Sequence, residues 1–556
     1  MLSMRNYFRF ALRALILQLV LIPLPINCII AQANFFPLGL WNYDICGPEH
    51  TVDQPNEMLR IDGLHGNYFT SMSLRAQPGM IDTCNRRNGT IVTTLTTLSH
   101  DDTTGGYYYP VRDYNPYDYN SMLSRYISDN QVANIQMALI DRFINRVYNR
   151  YQTNHAGIGA IQVAHQGYMD QQDHFAFIRH AGRRIQQLFG DDVQSTVVHN
   201  IFQWDGGTTL QNFFSYMGDS LDVYQHEQYP LRMFNQTTPP YTPAPYMGND
   251  FQQKIDTLVM SYQQTWEALK NSGNNHTKLE IIFQTFECYN ATYHVYWRRP
   301  TQAEIWLQAF LALSRNAKGV HSYVYRSYHW GGATYETGLI DSLTRNPNQP
   351  TYSYVADLYT HLDSLGPRLL PLTVLDAFTW TDTAHSYITD IIDDVYDGGH
   401  GTIEISLMDH PSNNYDYFLL VNRRCSSDNN GTPAPPQTIT VRTNKSGQYQ
   451  IRDLYSGELF VTSNGYFRNI TIGPGRGRLF ELRPMFAANE TWDTDTVNVS
   501  SSITVPSGKT LTIAPNSTVK FYTGQYLLVQ GKLVANGTAS QHIKFTAAAA
   551  NPTRGS

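Results

Sequence analysis

The chain has 556 residues, 42% of them hydrophobic, and its charge is sparse and nearly balanced at a net of -6. At ~150 residues per domain this length implies three or four domains, or one large α/β barrel with smaller modules. The absence of a basic excess excludes a nucleic-acid binder that works by charge. Aromatic residues are abundant, with 38 Tyr, 25 Phe and 8 Trp. Such surfaces suit extracellular proteins that stack on sugars, with core packing as the competing use.

Arg5, Arg9 and Arg13 precede an apolar run from Ala14 to Pro23, and Ala31-Gln32-Ala33 offers small residues for cleavage. Residues 1–33 therefore read as a secretory signal peptide, which makes the expected location secreted, extracellular or cell-surface. Pro23 and Pro25 break the run short of a membrane span, and no later run approaches that length. Four cysteines remain, Cys46, Cys84, Cys288 and Cys425, and in an exported protein the first expected disulfide, on proximity in sequence, is Cys46–Cys84. No CxxC or HxxxH spacing marks a metal site, and no cofactor is expected. Sequons such as Asn88, Asn235 and Asn290 would matter only in a eukaryotic secretory route.

Phe35–Tyr43 is a short apolar run suited to a buried first strand; Gly66–Met72 and Thr90–Leu98 follow as strands two and three. Ser128–Tyr151 has apolar residues at helical spacing. Alternation then becomes regular. Strand four is Ile158–Ala164, strand five Gln194–Phe202 and strand six Leu221–Tyr224, separated by helices at Phe175–Leu188 and Leu210–Met217. A long helix at Phe251–Leu269 leads to strand seven (KLEIIFQTFE, ending at Glu287), a helix in PTQAEIWLQAFLALSRNAKG and strand eight in GVHSYVYRSYHW. Tyr354–Leu365 closes the series. Eight strands alternating with helices predict an α/β fold, a (β/α)8 TIM-type barrel over residues 34–372. A doubly wound sheet is the competitor, but no Gly-rich phosphate turn follows any strand.

After Pro371 the helical period disappears. Thr402–Leu407, Tyr417–Asn422, Thr438–Arg442, Tyr449–Leu454 and Leu479–Leu482 are short alternating strands, an all-β sandwich over residues 373–486. Residues 487–556 change texture again. Val519-Lys520-Phe521 and Ile543-Lys544-Phe545 read as equivalent positions on two rungs of a parallel β-helix, an incomplete β-solenoid. Two rungs cannot cover their own apolar ends, so the expectation is a truncated product or a solenoid that continues past Ser556 and attaches the protein to a cell surface.

In a barrel the site is built just past the carboxyl ends of the strands. Those positions hold Trp41, Asn42 and Asp44; His100 and Asp101; His165 and Gln166; Trp204 and Asp205; His226 and Glu227; Glu287; and Arg326, Tyr328, His329 and Trp330. Aromatic faces for pyranose rings, with amides and carboxylates for hydroxyls, make the expected partner an oligo- or polysaccharide. Trp41, Asn42, His100, His165, Gln166, Trp204, Tyr328 and Trp330 are the candidate substrate-binding residues. Trp41, Trp204 and Trp330 each read first as packing residues, with at least one expected to face the cleft, and a strand-end Glu287 would serve equally as an ion-pair partner for Arg326. Glu280 points the other way along strand seven and reads as structural.

The order of FQTFE, PTQAEIWLQAFLALSRNAKGVHSYVYRSY and GPRLLPL, followed by a β-sandwich ending in GRLFEL, resembles secreted bacterial retaining glycoside hydrolases of the β-galactosidase-like barrel clan. The likeness spans residues 34–484. It implies a nucleophilic Glu ending strand seven, which falls on Glu287, and a general acid/base Glu ending strand four. Strand four instead ends Ala164-His165-Gln166-Gly167, without a carboxylate. Hydrolysis needs a second carboxyl group ~5 Å away in retaining enzymes or ~6.5–9.5 Å in inverting ones. Glu227 beside His226 is the first candidate, and Asp170 and Asp173 follow. The alternative is a catalytically degenerate barrel acting as a glycan-binding or adhesion protein.

Overall fold

The structure, a computed structural model, describes residues 36–42, 54–71, 81, 84–87, 92–96, 141, 144–165, 172–199, 208–234, 251–290, 295–329, 335–381, 383–393 and 401–549. In chain order the strands of its first half are β1 (Leu38–Asn42), β2 (Tyr68–Ser71), β3 (Val92–Thr96), β4 (Ile158–His165), β5 (Gln194–His199), β6 (Val223–Gln228), β7 (Arg232–Phe234), β8 (Lys278–Gln284), β9 (Glu287–Asn290), β10 (Val295–Trp297), β11 (Val320–Tyr323), β12 (Tyr328–His329) and β13 (Tyr335–Thr337). Eight of them, β1 to β6 with β8 and β11, form a closed barrel with every neighbouring pair parallel. The ring closes where β11 pairs with β1, Val320 opposite Leu38. The expected eight strands are therefore present, including the short second and third.

Helices α1 (Gln54–Gly63), α2 (Gln172–Phe189), α3 (Thr208–Met217), α4 (Phe251–Asn271), α5 (Gln302–Leu313) and α6 (Thr351–Leu369) surround the strands. Side chains alternate across a strand, and the barrel uses both faces. Ile281 and Phe283 of β8 join Leu38, Leu40, Val197, Tyr224 and the inner faces of the helices in the main core. Ile282, between them, faces inward and packs with Trp41 and Val198. Helix α5 is apolar nearly all round because the barrel covers one side and the β domain the other. Its start is fixed by a capping box: Thr301 accepts from the Glu304 backbone N–H, and the Glu304 carboxylate accepts from that of Thr301.

Two boundaries differ from expectation. At strand six, polar residues at the barrel rim read as loop although the strand continues through them. Strand six runs to Gln228, so His226 and Glu227 lie within it. Strand seven stops at Gln284, and Glu287 begins the separate strand β9. Strands β12, β13, β9, β10 and β7 form a further five-stranded antiparallel sheet over the carboxyl ends of strands six to eight. Nothing in the hydrophobic pattern announces strands of two to four residues.

The β domain is built on a nine-stranded sheet and a three-stranded sheet enclosing Ile403, Ile405, Phe418, Leu420, Ile439, Phe467 and Phe480. It docks on the barrel through Glu404, fully buried between Arg315 (2.6 Å) and Arg423 (3.2 Å). Burial alone would raise the Glu404 carboxyl, but the two guanidiniums outweigh it and hold it below the usual carboxylate range. The larger sheet continues without a break into the last segment, Leu459–Thr462 pairing parallel with Thr496–Val499. Beyond it lie five further parallel strand pairs in three stacks, including Glu490–Trp492 on Thr510–Ile513 and Ile503–Val505 on Leu527–Val529. Val519 stands opposite Phe545, not Ile543, so the two expected rungs are offset by two residues.

Cys84, Cys288 and Cys425 are buried free thiols, so Cys84 does not form the expected disulfide; Cys46 lies outside the described residues. The expected signal peptide also lies outside them. Among the described residues no helix is long and apolar enough to cross a membrane.

Candidate functional site

The barrel interior has two polar levels. The lower is a closed network. Glu280 of β8 meets His321 of β11 at 2.7 Å and accepts from the Gln225 amide of β6 at 2.9 Å. All three are essentially inaccessible to solvent. Glu280 thus faces inward, opposite to the sequence expectation, although its partners fit the structural role expected of it. Burial pushes its carboxyl up, but His321 and the two hydrogen bonds more than reverse this, and the net displacement is downward. His321 fits only because β1 carries glycine beside it: a Cβ on Gly39 would lie 1.7 Å from the imidazole Nδ1.

The upper level is at the carboxyl-end mouth. Glu227, 3% exposed, faces inward two residues above Gln225 and accepts a hydrogen bond from the Tyr229 hydroxyl at 3.2 Å. The Tyr229 ring stacks on Tyr323 at 5.2 Å and meets Phe286 edge-on at 5.0 Å, while Trp41 packs beneath the same rings. Burial, followed by the nearby Glu227 and Glu336 carboxylates, pushes the Tyr229 phenol well above its usual range. It is held as a neutral donor.

The five-stranded sheet separates the carboxylates by face. Cys288 of β9 lies opposite Trp297 of β10 and Glu336 of β13. Cys288 and Trp297 pack with Phe286, Tyr229 and Tyr323, so this face meets the mouth. Glu287 and Tyr289 belong to the other face by alternation. There Glu287 accepts from the Tyr296 hydroxyl at 2.6 Å and pairs with Arg299 at 3.3 Å, with Tyr289 near Tyr335. Register adds to the separation, since Glu227 is level with Ile282, five residues before Glu287. The expected Glu227–Glu287 pair is therefore not brought onto one face.

Of the other expected residues, Trp41 lies inside the barrel beneath the mouth. Asn42, His165 and Tyr328 are placed at the ends of β1 and β4 and on β12, but their side chains are outside the described set. His100, Gln166, Trp204 and Trp330 lie outside the described residues altogether, as do Asp44, Asp101, Asp170 and Asp205. His226 turns outward: its Nε2 is 2.7 Å from the Ser261 hydroxyl of α4, and burial pushes its pKa down to about 3. Sequence reasoning missed Tyr229, Tyr323 and Glu336. Tyr229 and Tyr323 follow from counting two residues along strands once the inward positions are known. Glu336 sits in a Gly- and Thr-rich stretch that carries no strand signal.

No group of His, Cys, Asp and Glu among the described residues has a metal-binding arrangement. No family model and no curated protein sequence matches the chain. Among solved structures, a β-glucuronidase from an uncultured Clostridium sp. is similar at 11% identity and a TM-score of 0.39, covering 59% of this chain and 50% of that one. A monomeric β-xylosidase from Caulobacter crescentus CB15 aligns at 11% identity and 0.39, over 81% of this chain and 96% of that one. A GH2 β-galacturonidase from Eisenbergiella tayi bound to galacturonate gives 13% and 0.35, over 59% and 51%. The chain thus spans about half the length of the β-glucuronidase and of the β-galacturonidase, and nearly all of the β-xylosidase.

Proposed function

We propose that the chain is an exported carbohydrate-active protein that hydrolyses O-glycosidic bonds at the carboxyl-end mouth of its barrel. The observation that carries this is Glu227: a buried carboxyl facing inward at the end of strand six, under an aromatic wall, with a neutral phenol donating to it. A carboxyl so placed meets the need for one of the two carboxyl groups of glycoside hydrolysis, and the sequence reading gives it the acid's part. A second carboxyl group is needed. Glu287, the nucleophile suggested by sequence, and Glu336, on the mouth-facing side of the small sheet, are the two candidates, and alternation favours Glu336. The parallel strand pairs after residue 487 support a solenoid rung structure in the same reading, and the basic, then apolar, sequence of residues 1–33 is the ground for export.

The test is hydrolysis of an aryl-glycoside panel by the wild type and by Glu227→Gln, Glu287→Gln and Glu336→Gln. Loss of a general acid costs ~10²–10⁴-fold in rate. Glu227→Gln should lose at least that, Glu336→Gln should lose comparably, and Glu287→Gln should retain most activity. An active wild type whose Glu227→Gln variant is unimpaired would sink the proposal. The second reading, glycan binding without catalysis, is favoured by the strand-four end at His165-Gln166, where no carboxylate stands. It wins if glycans bind and no substrate turns over.

A further inference from the structure

Outside the barrel wall, where α5 and α6 meet the β domain, a cavity of about 560 Å³ opens to solvent. That volume is within the range of small-molecule sites, ~300–1,000 Å³. Trp306 of α5 and His361 of α6 form its floor, and Arg476, in the turn between Tyr466–Ile472 and Gly477–Pro484, lies across Trp306 with its guanidinium carbon 3.5 Å from the ring centroid. Tyr455 covers His361 at 3.7 Å between ring centroids and is itself 49% exposed, so it forms the lip.

The charges in this cavity differ in how they are engaged. Arg478 is taken up by two carboxylates, Asp453 at 2.6 Å and Glu458 at 2.7 Å. Asp357, exposed on α6, accepts from the Gln302 amide at 2.9 Å and keeps a face toward the opening. The Arg476 guanidinium makes no hydrogen bond or ion pair among the described residues, although one of its faces is occupied by the indole. The floor is also unfinished as a packing interface. Trp306 Nε1 and His361 Nε2 are buried without partners among the described residues. Burial, with Arg476 nearby, pushes the His361 pKa down to about 4, so the ring is neutral under ordinary conditions.

We propose that this cavity is a binding site for an uncharged saccharide unit, separate from the barrel mouth. The Tyr455 ring offers a flat apolar face, Arg476 offers in-plane donors held rigid by stacking, and Asp357 offers acceptors. Hydroxyls of a pyranose need donors and acceptors together. Three carboxylates stand against two guanidiniums here, which disfavours an anion. The site would hold a polysaccharide chain against the outer wall while another stretch of it reaches the mouth.

The test is titration of the full chain, by calorimetry and saturation-transfer NMR, with cello-, xylo-, manno- and galactotetraose. Galacturonate tetramer and inorganic phosphate are the anionic probes. An uncharged tetraose should bind the wild type, with Kd raised at least tenfold in Tyr455→Ala and in Arg476→Ala. Both the binding and its Tyr455 dependence should persist in Glu227→Gln, which separates this site from the mouth and from the hydrolase reading. Should Arg476→Ala fail to fold, Tyr455→Ala, at an exposed position, decides alone. Absence of binding by all four uncharged probes, binding by the anionic probes only, or a Tyr455→Ala variant that binds like the wild type each overturns the proposal.

Discussion

Glu280 and Glu227 stand on adjacent barrel strands, both buried and both turned inward, yet they are held in different ways. Glu280 has an imidazole and an amide fixed on its carboxylate and lies sealed beneath the aromatic layer. Glu227, one inward position higher on the neighbouring strand, has a phenol among its partners and sits at the level of Trp41, Tyr229 and Tyr323. The lower carboxyl is built to stay charged and still. The upper one is placed where a ligand entering from the mouth arrives.

The contrast makes its strongest demand on stability. Removing one partner of a buried, hydrogen-bonded pair costs ~3–5 kcal/mol, so Glu280→Ala should lower the unfolding free energy by about that amount in urea titrations. Glu227→Gln should cost no more than ~1–2 kcal/mol while abolishing activity. If Glu227→Gln destabilises as much as Glu280→Ala, the two carboxyls serve the same structural purpose and the distinction fails.

Acid should separate the buried groups next. His226 is neutral in the fold with its pKa displaced down to about 3, whereas in the unfolded chain it protonates near its ordinary 6.5. The unfolded state therefore gains a proton first, and stability falls as pH drops from 6.5 toward 3, by up to ~1.4 kcal/mol per pH unit. His361 adds a similar slope that ends near 4. Glu280 acts lower, because its folded pKa is depressed: its contribution is full above the unfolded carboxyl range and is lost only as pH falls through the folded value. Urea midpoints from pH 8 to 4.5 should decline, and His226→Gln should flatten part of that decline. An unchanged slope in the variant would exclude His226 as its source.

Smaller effects sharpen the upper level. Tyr229→Phe removes a hydrogen bond to a buried carboxyl and should cost ~1.5–3 kcal/mol, and it should also shift the pH profile of any hydrolysis, which packing loss alone would not do. Glu287→Gln should cost under ~1 kcal/mol, because its Arg299 partner is about a third exposed and such pairs are weak. A Glu287 variant with a large loss of rate and no loss of stability would return the catalytic role to the outer face of the small sheet.

These predictions also mark what the amino-acid order made legible. The barrel was readable because β4, β5 and β8 are apolar strands between amphipathic helices. The β domain was readable from alternation after Pro371. The mouth was less so. Gln225 and Glu227 are polar because they face a barrel interior, yet polar residues next to an apolar run read as loop. The Glu287 side was harder still. Its orientation depends on β9 pairing with β10 and β13, strands too short to carry a period, and one residue of register exchanges the faces.

Gly39 has a consequence for how the chain reaches this state. Its carbonyl accepts from the Tyr359 hydroxyl 320 positions away, and its missing side chain is the space His321 occupies. Neither contact can form until strand eight and α6 have been made, so the first strand gains these partners only when the ring closes. Contacts of such long sequence separation slow folding. The barrel should therefore show a late kinetic step, and that step should be slowed by Gly39→Ala, whose added methyl would take the space of the His321 ring.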